Sequence, residues 1–146
     1  MKAAVPMTTD VVVVPPGLSL SAAYAVMERL RIRHLPVVRA GALVGILSDR
    51  DVLARATLRE DGSLDVPEDA VALAMTPAPI TCEPTTSVAE IARIMTERKI
   101  DAVPIMRGSR IIGLVTSTDL MLLLVGVREA CALPFGFRVV EDHAAA

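Results

Sequence analysis

An internal duplication limits the folds open to this chain more than any other feature of its sequence. When the chain is shifted by 68 residues, positions 7–53 align with positions 75–121 without a gap, and ten of the 47 pairs are identical. The clearest repeated phrase is GILSDRD, Gly45–Asp51, which returns as GLVTSTD, Gly113–Asp119. The chain is therefore expected to contain two copies of one supersecondary unit.

Each copy has the pattern of a β-α-β-β-α unit. A short apolar strand is followed by a proline, a serine suited to capping a helix, and a segment with apolar residues at helical spacing. Two more strands flank a turn that contains glycine, and a second helix closes the copy. The first strands are expected at Val11–Val14 and Ile80–Cys82, and the closing helices at about Asp49–Leu58 and Ser117–Val127.

The packing of the two units follows from their uncovered faces. A three-stranded sheet with both helices on one side must bury its other side against something. Two such units can cover each other, which predicts an α+β (α/β) fold with pseudo-twofold symmetry, one shared core and equivalent loops around a common cleft. The expected organisation is a first repeat at 1–58, a surface linker at 59–69, a second repeat at 70–127 and a tail at 128–146.

Composition excludes several classes of function. Aromatic residues are 2% of the chain and the net charge is −2, which argues against a nucleic-acid interface. The apolar run Leu120–Val127 is too short to span a bilayer, and the N-terminus lacks an apolar signal core, so we expect a cytoplasmic protein that does not enter a membrane. The two cysteines and two histidines have no metal-ligand spacing, so no metal site is expected.

The repeated phrase has two interpretations that do not exclude each other. Ser48 with Asp51, and Thr116 with Asp119, fit the capping box in which a hydroxyl and a carboxylate satisfy the first backbone N–H groups of a helix. The same residue types could also bind a ligand, because the hydroxyl can contact a phosphate oxygen and the carboxylate can accept bonds from the two hydroxyls of a ribose.

Both copies resemble CBS domains, named after cystathionine β-synthase, and the tandem resembles a Bateman module. The resemblance covers residues 5–53 and 73–125. It rests on the Met-Thr start of each copy, the Met and Ile at the helix end, the LPVV and VPIM strands, and the repeated phrase. It implies binding of an adenosine-containing regulatory ligand: AMP, ADP, ATP or S-adenosylmethionine.

The resemblance also implies roles for individual residues. The two aspartates would hold ribose, and the hydroxyls of Ser48 and Thr116 would contact the phosphate side. Basic contacts to phosphate would come from Arg33 and His34, and Arg50 would reach a phosphate or point to water. Further ligand contacts would come from the Thr81 hydroxyl and from an apolar slot for adenine, lined by Val12, Val14, Pro36, Ile80 and Pro104.

The two sites are expected to be unequal. Where the first copy has Arg33 and His34, the second copy has Asp101 and Ala102. A carboxylate in a poorly screened cleft repels a phosphate. We therefore expect one stronger nucleotide site and one that is weak or empty.

Two functions remain open at this point. No catalytic motif is visible in the sequence, so we expect a protein that is not an enzyme and uses no catalytic cofactor. The first hypothesis is a sensor of energy or metabolite state in signal transduction, acting on an unidentified protein. The alternative is a structural module for homodimerisation or protein interaction, with degenerate nucleotide sites. A homodimer is expected in both cases, because the closing helix and the tail carry more apolar residues than one small core needs.

Overall fold

The computed structural model describes residues 10–125, and the tail expected at 128–146 lies outside them. The expected mixed α and β fold is confirmed. The helices are α1 (Leu20–Leu30), α2 (Asp49–Leu53), α3 (Val88–Arg98) and α4 (Ser117–Val125). The strands are β1 (His34–Arg39), β2 (Ala42–Ser48), β3 (Thr57–Leu58), β4 (Leu64–Asp65), β5 (Thr76–Pro77), β6 (Ala102–Arg107) and β7 (Arg110–Thr116).

The two central hairpins have the same geometry in both repeats. Strand β1 pairs antiparallel with β2, and β6 pairs with β7, each through a two-residue turn. Positive φ angles at Ala40, Gly41 and Gly108 allow these tight turns. Each hairpin also contains one unpaired residue on its second strand, Val44 or Ile112, immediately before the repeated glycine. This bulge recurs in both copies because the duplicated sequence retains the same pairing.

The first strand of each repeat is shorter than the sequence predicts. Val14 alone bridges β1, where its N–H donates to Pro36 O at 3.0 Å and its carbonyl accepts from Val38 N at 2.9 Å. Cys82 makes the equivalent parallel bridge to β6. A proline follows each bridging residue within two positions and has no N–H to extend the ladder. The expected strands Val11–Val14 and Ile80–Cys82 are therefore single bridges.

The long helices begin and end in the same way. The hydroxyl oxygen of Ser19 accepts from Ala22 N at 3.2 Å, and that of Ser87 accepts from Glu90 N at 3.1 Å. Each helix packs its apolar side onto a sheet and ends at a residue with left-handed φ. These residues are Arg31 and Lys99, both with φ of 54°.

The prediction that the first closing helix runs to Leu58 is wrong. Helix α2 ends at Leu53, and Thr57–Leu58 forms a small hairpin with Leu64–Asp65. A chain that turns back within the linker can pair its backbone, and Arg59 supports the turn through an ion pair of 3.0 Å with Asp65. The linker is largely exposed, as expected, but it contains local structure and ends where Asp69 O accepts from Leu20 N at 2.8 Å.

Most of the buried hydrophobic residues of the described part form two clusters, one centred on each repeat, with Val71 from the start of the second repeat in the first cluster. This corrects the expectation of a single shared core, because each pair of helices covers its own sheet. The first cluster contains Val14, Leu20, Ala23, Met27, Leu35, Val37, Leu47, Val52 and Val71. The second contains Cys82, Ile91, Met95, Val103, Ile105 and Val115.

Backbone pairing joins the repeats. Strand β5, at the start of the second repeat, pairs antiparallel with β2 of the first, giving a sheet of order β1-β2-β5. Leu43 N also donates to Ser109 O at 3.4 Å, between the two central hairpins. The second repeat thus begins as an edge strand of the first, which places the entry segment of one copy beside the repeated phrase of the other.

Candidate functional site

The repeated phrase forms a helix cap in both copies. At α2, Asp51 N donates to the Ser48 hydroxyl oxygen at 3.1 Å, and Ser48 N donates to Asp51 Oδ2 at 2.8 Å. At α4, Asp119 N donates to Thr116 Oγ1 at 3.3 Å, and Thr116 N donates to Asp119 Oδ2 at 2.8 Å. The capping interpretation is therefore confirmed, and each carboxylate is held half-buried at the start of its helix.

The cap of α2 opens into a cavity between the repeats, which we call the Ser48 cleft. Its volume is about 270 Å³. The first repeat contributes the repeated phrase, and the second contributes its entry segment and the turn before β6. The lining residues are Arg33, His34, Ile46, Ser48, Asp49, Arg50, Asp51, Thr76, Ala78, Pro79, Ile80, Lys99, Ile100, Asp101 and Ala102.

A second cavity, which we call the Thr116 cleft, has a volume of about 380 Å³. Here the first repeat contributes its entry segment and the turn before β1, and the second repeat contributes residues of the repeated phrase. The cleft is lined by Asp10, Val11, Val12, Leu30, Arg31, Ile32, Arg33, His34, Leu114, Thr116 and Thr118. Residues that are 68 positions apart occupy corresponding places in the two clefts: Ile46 corresponds to Leu114, and Arg50 to Thr118. The structure thus has two clefts related by the duplication, each built from both repeats.

The structure brings together most, but not all, of the predicted site residues. Ser48, Asp51, Arg50 and Ile80 line the Ser48 cleft, and Thr116 and Val12 line the Thr116 cleft. Arg33 and His34 line both clefts. Asp119 caps α4 beside Thr116 but is not among the residues that line the Thr116 cleft.

Four residues predicted to contact the ligand lie elsewhere. Pro36 and Pro104 are fully buried within their strands, and Val14 belongs to the first core cluster, so none of them forms a wall of either cleft. Thr81 lines a third, open cavity together with Cys82. Neighbouring residues of an extended segment face opposite sides, so Ile80 enters the Ser48 cleft and Thr81 faces away from it.

Charged groups meet across the Ser48 cleft. Arg50 Nη1, from the first repeat, lies 3.6 Å from Asp101 Oδ2, from the second. His34 lies near Asp101: burial lowers the pKa of the imidazole below its ordinary value, Asp101 and Asp49 oppose this effect, and Arg33 adds to it. Because burial is the largest of these effects, the neutral imidazole is favoured near pH 7.

Several lining residues were not predicted, although the duplication contains the signal that identifies them. Lys99 and Arg31 correspond under the shift of 68 residues, and both follow the last turn of a long helix. Thr118 is the counterpart of Arg50. The pairing of β5 with β2 shows that each cleft combines the repeated phrase of one repeat with the entry segment of the other. A residue that lines one cleft therefore predicts that the residue 68 positions away lines the other.

Residues 10–125 contain neither a cluster of metal ligands nor a helix that could span a membrane. No group of three or more His, Cys, Asp or Glu side chains there could hold a metal ion. No helix in the same range is long and apolar enough to cross a membrane.

Comparison with known proteins agrees with this architecture. The family model of the CBS domain matches twice, at residues 2–57 and 69–126. The CBS domain-containing protein YhcV of Bacillus subtilis is 30% identical over 115 residues, covering 78% of this chain and 79% of YhcV. The inosine-5'-monophosphate dehydrogenase of Korarchaeum cryptofilum is 38% identical over 111 residues, which are 75% of this chain but 21% of that enzyme.

A solved structure shows the same arrangement. The CBS domain pair of protein MJ0100, in complex with 5'-methylthioadenosine and S-adenosyl-L-methionine, superposes with a TM-score of 0.74 at 25% identity. The match covers 86% of this chain and 97% of that one. The chain therefore belongs to the CBS-domain family, as a tandem pair of CBS domains.

Proposed function

We propose that this chain is a regulatory module that binds an adenosine-containing ligand in the clefts between its two repeats. The observation that carries the proposal is the Ser48 cleft, where a hydroxyl and a carboxylate fixed by a helix cap face an apolar wall contributed by the other repeat. Pockets for small ligands combine a mostly apolar lining with a few oriented polar groups.

The cap leaves part of each polar group available to a ligand. Asp51 uses Oδ2 for the cap, and no group among residues 10–125 donates a hydrogen bond to its Oδ1. Ser48 accepts from Asp51 N through its hydroxyl oxygen, and its own hydrogen has no acceptor within the same range. In the proposed complex, Asp51 Oδ1 accepts a hydrogen bond from a ribose hydroxyl, and Ser48 donates one to an acceptor atom at the 5' side of the ligand.

The apolar lining of the Ser48 cleft suits a base. Ile46 comes from β2 of the first repeat, and Pro79 and Ile80 come from the entry segment of the second. Residues from both repeats would thus contact the same ligand. Such a ligand shifts the equilibrium between two arrangements of the repeats when it binds one arrangement more tightly than the other. This shift is the basis of the proposed regulatory role.

The relatives support a ligand of this class. The domain pair of MJ0100, of which 97% is matched, was solved with two adenosine derivatives. The dehydrogenase is an enzyme, but this chain spans only 21% of its length. We propose a cytoplasmic module without catalytic activity, in which the adenosine derivative acts as a signal rather than as a substrate.

One observation favours a second candidate function, homodimerisation. Helix α4 exposes Met121, Leu122, Leu124 and Val125 to between 56% and 78%. Large apolar side chains exposed together are typical of protein interfaces. We propose that this helix contacts a second copy, and that an unidentified regulated protein recognises the dimer. Sedimentation of the wild-type chain and of a Leu122→Lys variant would test this, because the variant should be the smaller species.

Ligand titration tests the regulatory proposal. Isothermal titration of the wild-type chain with AMP, ATP and S-adenosylmethionine should show binding of at least one of them, and Asp51→Asn should weaken the ligand bound in the Ser48 cleft about tenfold or more, since hydrogen bonds to a charged group contribute roughly 1.5–3 kcal/mol. Ser87→Ala is the matched control, because Ser87 caps α3 and lines neither cleft. Absence of binding by the wild-type chain to all three ligands, or equal weakening in the control, would overturn the proposal.

A further inference from the structure

The two clefts have different charges, although the duplication relates them. Among residues 10–125, the ionised groups lining the Thr116 cleft are two guanidinium groups, Arg31 and Arg33, and one carboxylate, Asp10. The ionised groups lining the Ser48 cleft are three carboxylates and three cations: Asp49, Asp51, Asp101, Arg33, Arg50 and Lys99. The lining of the Thr116 cleft is thus net positive, with the Asp119 carboxylate behind it bonded to Thr116 N and Oγ1 in the cap, and the lining of the Ser48 cleft is balanced.

The balance of the Ser48 cleft hides a local excess of acid. Asp101 stands at the position that corresponds to Arg33, so the turn before β6 presents a carboxylate where the turn before β1 presents a guanidinium. Arg50, the cation closest to the cap in sequence, is already directed to Asp101 at 3.6 Å. A phosphate entering here would have to compete with Asp101 for Arg50 and would be repelled by the carboxylate it displaced.

The Thr116 cleft lacks both obstacles. The counterpart of Arg50 is Thr118, whose hydroxyl is a donor on the cleft wall, whereas the Thr116 hydroxyl already donates to Asp119 Oδ2 at 3.0 Å. The counterpart of Lys99 is Arg31, whose guanidinium can bind a phosphate through two parallel hydrogen bonds. The Thr118 hydroxyl and the guanidinium groups of Arg31 and Arg33 are therefore the donors that this cleft offers to a phosphate.

We infer that the clefts sort adenosine derivatives by the charge of their 5' group: the Thr116 cleft takes a 5'-phosphorylated adenosine, and the Ser48 cleft takes one without phosphate. The inference rests on the proposed adenosine binding and adds to it the ligand class of each cleft. One chain would then bind two different adenosine derivatives at once and report on both.

AMP and 5'-methylthioadenosine are matched probes, since they differ only in carrying a phosphate or an uncharged methylthio group. In titrations of the full wild-type chain, saturation with 5'-methylthioadenosine should change the affinity for AMP less than about threefold, because separate clefts are occupied. Mutual competition, in which each ligand abolishes binding of the other, would overturn the inference without affecting the proposed function. A wild-type chain that binds neither probe would overturn both.

Two variants identify the clefts. Arg31→Asn should weaken the binding of AMP about tenfold and leave the affinity for 5'-methylthioadenosine unchanged. The variant removes one positive charge near the phosphate in a partly screened cleft. Asparagine tolerates the left-handed φ at this position, so the backbone is preserved. Lys99→Asn is the matched control, with the same φ in the other cleft, and should leave AMP binding unchanged. Equal weakening of AMP by both variants would contradict the assignment.

A gain-of-function variant tests the same charge preference in the Ser48 cleft. Asp101→Asn removes the carboxylate that opposes phosphate and releases Arg50, while an amide of the same shape remains. A second AMP should then bind per chain in the titration. An unchanged AMP stoichiometry would contradict the assigned role of Asp101.

Discussion

Single residues are constrained most tightly where the two repeats touch. Gly45 lies in β2 opposite Val37 and is paired on its other side with Pro77. A Cβ at Gly45 would meet Met75 Cγ and Thr76 O, each at 2.9 Å, and the second of these is a backbone atom that cannot move aside. The glycine of the repeated phrase therefore permits the close approach of β5 rather than an unusual backbone angle.

Replacing this glycine should weaken the contact between the repeats. Gly45→Ala is expected to lower the free energy of unfolding by about 1–3 kcal/mol, since overpacking forces the backbone to shift. Urea denaturation followed by circular dichroism measures the change. Gly17→Ala is the control, because nothing lies within 4 Å of a Cβ there. A similar result for the two variants would show that β5 adapts without cost.

At the scale of the element, the two long helices share an unusual end. Both finish at a basic residue with left-handed φ, a position where glycine is the favoured residue. Arg31 lines the Thr116 cleft and Lys99 lines the Ser48 cleft. A glycine at either position would remove a basic side chain from the site. Local strain at these positions accompanies the proposed binding role.

Relieving this strain should stabilise the fold. Lys99→Gly is expected to raise the free energy of unfolding by up to about 1 kcal/mol, because glycine adopts left-handed φ without a Cβ penalty. The contrasting variant is Arg98→Gly, inside the last turn of α3, which should lower it by about 1 kcal/mol. Thermal denaturation of both proteins at one pH gives the comparison. Destabilisation by Lys99→Gly would mean that the lysine makes contacts worth more than the strain.

The whole molecule consists of two cores joined by a short strand pairing and by clefts. The hydrophobic clusters do not merge within residues 10–125, and the contacts between repeats include the β2–β5 ladder and the contact of the two central hairpins. A ligand in a cleft would add contacts at the boundary between the repeats. This arrangement suits a module whose halves change their relative arrangement on binding.

Separate cores predict independent energetic effects. Val37→Ala in the first cluster and Ile91→Val in the second should combine additively to within about 0.5 kcal/mol in the free energy of unfolding. Val37→Ala combined with Leu47→Ala, both in the first cluster, should depart further from additivity, since these side chains share one core. Denaturant titration of the single and double variants measures both couplings. Strong coupling across the clusters would contradict two separate cores.

The sequence alone was sufficient to predict the repeated unit, its central hairpins, the serine caps and the capping box in each copy. These features depend on residues close together in the chain, so local hydrogen bonding and the spacing of apolar residues specify them. The early end of α2 was missed because a linker hairpin competes for the same residues, and its pairing is not visible in the periodicity.

The residues that share each cleft could be identified only from the tertiary structure. The existence of the clefts requires β5 of one repeat to pair with β2 of the other, which brings residues such as Asp51 and Ile80 together from distant parts of the chain. Burial of Pro36 and Pro104, and the outward position of Thr81, likewise depend on how each strand packs. Local chemistry specified which side chains could bind a ligand, and long-range packing decided which of them share a cleft and with which charges.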